Sequence, residues 1–201
     1  MQASGKFTQE RATPLSPQEE RLLRLLTTAI VHHPRASMFE LAQVVGVSRA
    51  TLHRFCGTRD NLLKKLESRA KEVLTKIIDN ARLQQDEFLS ALERLINEHL
   101  AHRELLAFLV VQYRPDFLDE SPNAAPWYSY LYALDTFFLR GQQQGVLRID
   151  ITASILTEMF ISLVYGMVDA EQRGRAASAN TAHILPQMFL YGAGSHIRME
   201  T

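Results

Sequence analysis

Arg49, Ala50, Thr51, His53 and Arg54 are the residues of this chain whose types and spacing point most directly to chemistry. Within six positions they offer two guanidinium groups, two small methyl-bearing side chains and an imidazole. Arginine bonds the O6 and N7 edge of guanine bidentately, and alanine and threonine methyls contact the thymine methyl. Such a set can read base pairs, provided one rigid element carries it into a groove.

The flanking residues, Ser37 to Leu62, supply that element. Ser37 and Glu40 form a capping box, each able to satisfy a free amide of the first turn. The helix they open, about Met38 to Val45, carries Leu41, Val44 and Val45 on its apolar side. Ala42 falls where two helices cross, and Gly46 ends the helix in a left-handed turn. Val47 returns to the core and Ser48 caps a second helix. On it Leu52, Phe55 and Cys56 face inward, which leaves the five polar and small residues outward. Two helices joined in this way make a helix-turn-helix, whose second helix lies in the major groove with its first residues nearest the bases.

The same apolar spacing also suits a plain helical hairpin, and charge helps to separate the two. Of the 22 Lys and Arg, 13 fall within residues 1–80, against 8 of the 22 Asp and Glu. A net charge of zero therefore hides a basic N-terminal third on an acidic body. A local basic face is all that counterion release from DNA requires.

This pattern resembles the TetR family of bacterial transcriptional regulators. The likeness runs from a first helix, about Pro17 to His32, through Gly46-Val47-Ser48-Arg49-Ala50-Thr51-Leu52-His53-Arg54-Phe55-Cys56 and into Thr58-Arg59-Asp60-Asn61-Leu62-Leu63. It is specific over about Leu22 to Val73. Three positions depart from the family pattern: His53 stands for a phosphate-contacting tyrosine, Cys56 for a core phenylalanine and Arg59 for lysine. The resemblance implies that Arg49, Ala50, Thr51 and Arg54 read bases while Ser48, His53, Thr58 and Arg59 hold phosphates. It also implies a repressor whose grip on DNA a bound small molecule loosens. Further along, Gly141 to Asp150 followed by an apolar helix is similar to the family's entry into its dimerisation helix.

Strand signals are almost absent. Helical periodicity recurs over about Leu62 to Arg82, Asp86 to His99, His102 to Gln112, Pro122 to Gln144, Thr152 to Gln172 and Thr181 to Met199. The expected fold is all-α: a polar disordered arm over 1–16, an N-terminal three-helix bundle over 17–62 and a helical effector-binding and dimerisation domain over 83–201. Helix four, 60–82, connects the last two. The longest apolar run, Ala153 to Val168, is interrupted by Glu158 and Ser162, so no membrane partner is expected. A lone cysteine, Cys56, suits a reducing cytoplasm and reads as a small core residue.

Aromatic and sulfur side chains concentrate in the second half. Phe108, Tyr113, Trp127, Tyr130, Phe137, Phe160 and Met167 could line an apolar cavity with a few polar tips, although any one of them could equally fill a core. An apolar or aromatic effector fits this lining, and Arg103, Arg114, His99 and His102 could accept a carboxylate. Two histidines are too few for a metal, and neither metal nor cofactor is expected. Ile155, Met159, Ser162 and Gly166 share one helix face, and Ile184, Met188 and Tyr191 lead to Gly192-Ala193-Gly194-Ser195. Paired with their symmetry mates, these two helices would make an isologous four-helix seam. A homodimer would place two recognition helices on palindromic double-stranded DNA. The other outcomes are a DNA-bound adaptor of the same fold acting through protein contacts, and an enzyme. No phosphate loop, nucleophile elbow or metal-spaced set speaks for the enzyme.

Overall fold

Each of the first four helices begins at a hydroxyl side chain. Ser16, Ser37, Ser48 and Thr58 cap α1 (Pro17–His32), α2 (Met38–Val44), α3 (Arg49–Cys56) and α4 (Arg59–Ala81), each accepting the amide three residues on. Ser16 with Glu19 and Ser37 with Glu40 complete full capping boxes. Both glutamates are held below the usual carboxylate range, first by the backbone amide of the capping serine and then by its hydroxyl. The structure, a computed structural model, describes residues 15–85, 87–112 and 125–194. Five further helices follow: α5 (Phe88–Ala101), α6 (Arg103–Gln112), α7 (Ala125–Gln143), α8 (Ala153–Gln172) and α9 (Ser178–Ala193).

The described residues contain no strand; one isolated antiparallel bridge joins Leu147 to Gly194. The all-α expectation holds. The last helix departs furthest from the periodicity. It starts at Ser178, three residues before the apolar pattern does, and closes at Ala193 with Gly194 as its cap. Val44, expected on the apolar side of α2, is 54% exposed. The helix is only seven residues long, and Leu41 and Ala42 take its inward positions.

Helix α4 is the spine. At 23 residues it is about 35 Å long. It packs on α3 near its start, on α6, and on α5 and α7 beyond that. Its buried stripe of Leu62, Leu66, Ala70, Val73, Leu74, Ile77 and Ala81 recurs at three- and four-residue spacing, as one continuous apolar face must. Helix α1 lies along α6, and α8 packs between α7 and α9. The buried side chains form a single core from Leu23 to Ala193. Where α7 crosses the start of α5 the approach demands a glycine. A Cβ on Gly141 would come within 2.5 Å of the Phe88 ring and 2.9 Å of Leu147. Phe88 in turn stacks on Phe137 at 4.6 Å.

Candidate nucleic-acid interface and ligand-binding core

The turn between α2 and α3 is tied by short local bonds. The Val47 amide donates to Ala42 O at 3.0 Å, and Gly46 carries the positive φ of 72° that lets the chain reverse. Leu52 and Cys56 plug α3 into the core, with Cys56 Sγ donating to Leu52 O at 3.3 Å. Burial pushes the Cys56 thiol upward, which suits a packed core residue better than a reactive thiol. Opposite them, Ser48, Arg49, Ala50, His53 and Arg54 are exposed and Thr51 is half-buried. The side chains of Arg49, His53 and Arg54 bond to no other group among the described residues. Thr51 is more constrained: its hydroxyl lies 2.8 Å from that of Ser48, within the cap of α3.

Two neighbours shape this surface in ways the sequence did not disclose. Arg59 donates from Nε to Ala36 O at 3.3 Å and from Nη2 to Pro34 O at 2.5 Å. It therefore clamps the start of α4 to the loop before α2, and Nη1 is the part of its fork outside that clamp. An open groove beside α3 is lined by Ser16, Gln18 and Leu22 of the α1 side and by Thr51, Arg54 and Phe55 of α3. The first turn of α1 thus borders the outward face of α3. Thr58 is exposed and caps α4, its hydroxyl accepting from the Asn61 amide at 3.2 Å.

The aromatic residues converge. Phe108, Trp127, Tyr130, Phe137 and Phe160 are all buried, Met167 is half-buried, and Tyr113 lies outside the described residues. Phe137, Phe138, Phe160 and Phe189 form a chain of rings with centroids 5.2–5.6 Å apart. His99 packs edge-on against Phe160 at 5.4 Å and is fully buried. Its Nδ1 lies 2.7 Å from Leu95 O and its Nε2 lies 2.7 Å from the Tyr130 hydroxyl. A carbonyl only accepts, so Nδ1 carries the proton and Tyr130 donates to Nε2. Helix α5 ends at Ala101, and His102 is its cap. Arg103 pairs with Glu171 at 3.2 Å, and Arg114 lies outside the described residues.

On α8 and α9, Ile155, Met159, Ser162, Gly166, Ile184, Met188 and Tyr191 are all exposed. Met188 and Tyr191 reach 58% and 72% exposure, large values for apolar side chains on helices packed side by side. Helix α8 is also long and apolar enough to cross a membrane by length and composition alone, although the interrupted run had suggested otherwise. Its inner face of Leu156, Phe160, Ile161, Val164 and Val168 is spent on the core.

No family model matches the sequence. It is 63% identical over 184 residues to the HTH-type transcriptional regulator NfxB of Pseudomonas aeruginosa, covering 92% of this chain and 98% of that one. The fold is that of the TetR-like regulator LfrR of Mycobacterium smegmatis in complex with proflavine, with TM-score 0.66, 20% identity and 87% and 96% of the two chains covered. It is also that of the ketosteroid transcriptional regulator KstR2 of Mycobacterium tuberculosis, with TM-score 0.71, 12% identity and 90% and 97% covered. The chain belongs to the TetR family of transcriptional regulators.

The likeness to NfxB extends well past the helix-turn-helix of this TetR-type regulator and takes in the aromatic core. Burial of His99 drives its pKa down to about 4, the Leu95 carbonyl opposing that shift only in part. The unfolded chain takes up this proton near pH 6.5, the folded one only near 4. Stability contributed by neutral His99 is therefore fully present above about pH 6.5 and is lost as the pH falls towards 4, by about 3 kcal/mol at most. Urea unfolding at a series of pH values checks this. The His99→Gln variant is expected to show a shallower fall across that window, and an identical slope would remove His99 as the cause.

Proposed function

We propose that this TetR-family regulator is a dimeric repressor that reads a palindromic operator and is released by a small apolar or aromatic effector. The observation that carries the reading is the two-sidedness of α3. Leu52 and Cys56 are buried, while Arg49, Ala50, His53 and Arg54 stand in solvent on the first turns of a capped helix. Arg49, Ala50, Thr51 and Arg54 are the base-reading set. Ser48, His53, Thr58 and the Nη1 side of Arg59 hold phosphates. The division into a reader (17–62), a connecting α4 and an effector and dimerisation region (83–201) follows, with α4 as the lever between them.

The dimer is supported by the apolar face of α8 and α9, since monomers seldom leave so large a contiguous patch uncovered. A two-fold pairing of that patch would give one assembly two α3 helices, as reading both halves of a palindrome requires. The effector is supported by the aromatic cluster and by the fold shared with LfrR, whose crystals hold proflavine. Release is then a population shift, limited by the ligand's preference for the badly spaced conformation. On this reading the protein works on DNA in the cytoplasm. Tight ring packing in the cluster favours one rival, a DNA-bound adaptor with a filled core, and a thermal-shift panel of small molecules separates the two.

Fluorescence anisotropy against fragments of the gene's own upstream region, at several salt concentrations, tests the DNA reading. Tight binding to one fragment with a steep salt dependence is expected. Weak and equal binding to every fragment would refute it.

A further inference from the structure

Among the described residues, two polar atoms are buried without a partner near one end of the aromatic cluster: Trp127 Nε1 and the Tyr165 hydroxyl. Trp127 is only 6% exposed, and Tyr165, half-buried as a residue, has its hydroxyl sealed from water. A buried donor without an acceptor costs free energy that folding alone does not return. Such atoms are explained when something other than the protein completes their bonds.

The surroundings narrow what that is. Trp127 and Tyr130 lie 5.5 Å apart, ring to ring, on successive turns of α7. Tyr165 sits on α8, which packs along α7. Tyr130 spends its own proton on His99 Nε2, so its oxygen is left as an acceptor. Burial raises the Tyr130 phenol well above its usual range, followed by the nearby Tyr165 and Glu158, and burial raises Tyr165 as well. Both phenols and His99 are therefore neutral near pH 7. Several ionised groups on and beside these helices already have a partner or face water. Arg103 pairs with Glu171, Asp135 accepts from Thr157 at 2.6 Å, and Glu158 is exposed to water. Arg140 has two unpartnered nitrogens, but it lies ten residues beyond Tyr130, about 15 Å along α7 and beside Phe137.

We propose that Trp127, Tyr130 and Tyr165 form the polar end of the effector site, and that this end selects an uncharged planar molecule through an oxygen acceptor. The Trp127 N–H donates to that oxygen, and the Tyr165 hydroxyl donates to it or accepts from a neighbouring N–H of the ligand. The flat faces of the molecule lie among the rings. Among the described residues, a cation finds no buried counter-charge at this end, and a carboxylate finds no cation. The proposal rests on the effector-released reading above.

Three tricyclic probes of one size test it on the full chain: neutral acridone, cationic proflavine and anionic acridine-9-carboxylate. Trp127 is the one tryptophan of the sequence, so its emission reports occupancy directly. Acridone is expected to quench it, to raise the melting temperature and to displace the operator. Both charged probes are expected to bind at least about tenfold more weakly. Tyr165→Phe keeps the ring and removes only the unpartnered hydroxyl. It should weaken acridone binding about tenfold, read by acridone's own fluorescence, without lowering the melting temperature of the free protein. A purely structural hydroxyl would lower that temperature and leave acridone binding unchanged. Equal binding of acridone to wild type and Tyr165→Phe, or a charged probe binding as tightly as acridone, would overturn the proposal. Operator release in those cases would leave the effector reading standing. Conversely, Tyr165-dependent acridone binding that leaves the operator bound supports the site and refutes its role in release. No binding by any of the three probes overturns the site.

Discussion

The double variant Arg49→Ala/Thr51→Ala is expected to lose operator affinity by about a thousandfold while melting close to the wild-type temperature. A bidentate arginine–guanine pair contributes about 1–3 kcal/mol of discrimination, and a threonine methyl on thymine adds less. In a dimer on a palindrome each loss counts twice, which brings the sum to about three orders of magnitude. The fold should barely notice. Arg49 is exposed, and half-buried Thr51 gives up its γ-methyl and the hydroxyl it shares with Ser48, while the Ser48 cap on the Thr51 amide survives. Salt dependence then sorts the roles. A base reader leaves the slope of log affinity against log salt unchanged, whereas each lost phosphate contact lowers it by about 0.9. Unchanged operator affinity in the double variant would refute the assignment of α3 as the reader.

Met159→Glu/Met188→Glu is expected to convert the protein to a folded monomer that binds the operator at least about 100-fold more weakly. The two methionines stand on the faces of α8 and α9 that the core does not use, at 41% and 58% exposure. A glutamate at either position keeps its hydration in a monomer. Across a two-fold seam, four new carboxylates would be buried near one another, a cost that apolar packing cannot offset. The affinity loss follows from geometry: a monomer engages one half-site and forfeits the effective concentration that linkage gives the second. Sedimentation velocity reads the mass and circular dichroism the fold. A dimer that persists at micromolar concentration would place the seam elsewhere.

The sequence by itself determined the helix-turn-helix and the helical class, because both are written in short-range chemistry. Ser37 and Glu40 announce a helix start three residues apart, and Gly46 with Ser48 marks a turn and a new cap. Leu52 and Cys56 differ by one turn, so the outward set of Arg49, Ala50, His53 and Arg54 follows from periodicity alone. The apolar outer faces of α8 and α9 were legible for the same reason, since helical spacing sorts Met159 from Phe160 without any knowledge of neighbours.

Only the tertiary structure decided where those regular elements meet. Val44 follows the apolar pattern of α2 yet is 54% exposed, on the wall of an open groove it shares with Pro34, Ala36 and Gln43. Arg59 looked free to reach a phosphate, but two of its nitrogens hold the carbonyls of Pro34 and Ala36, more than twenty residues away. His99 and Tyr130 are 31 residues apart, and nothing local announces their bond. The same holds for Trp127 and Tyr165, whose unpartnered polar atoms exist only because α7 and α8 pack around them. A side chain's period along a helix is set within a few residues of chain. Its partner, its burial and the proton it keeps depend on which other helix is placed against it.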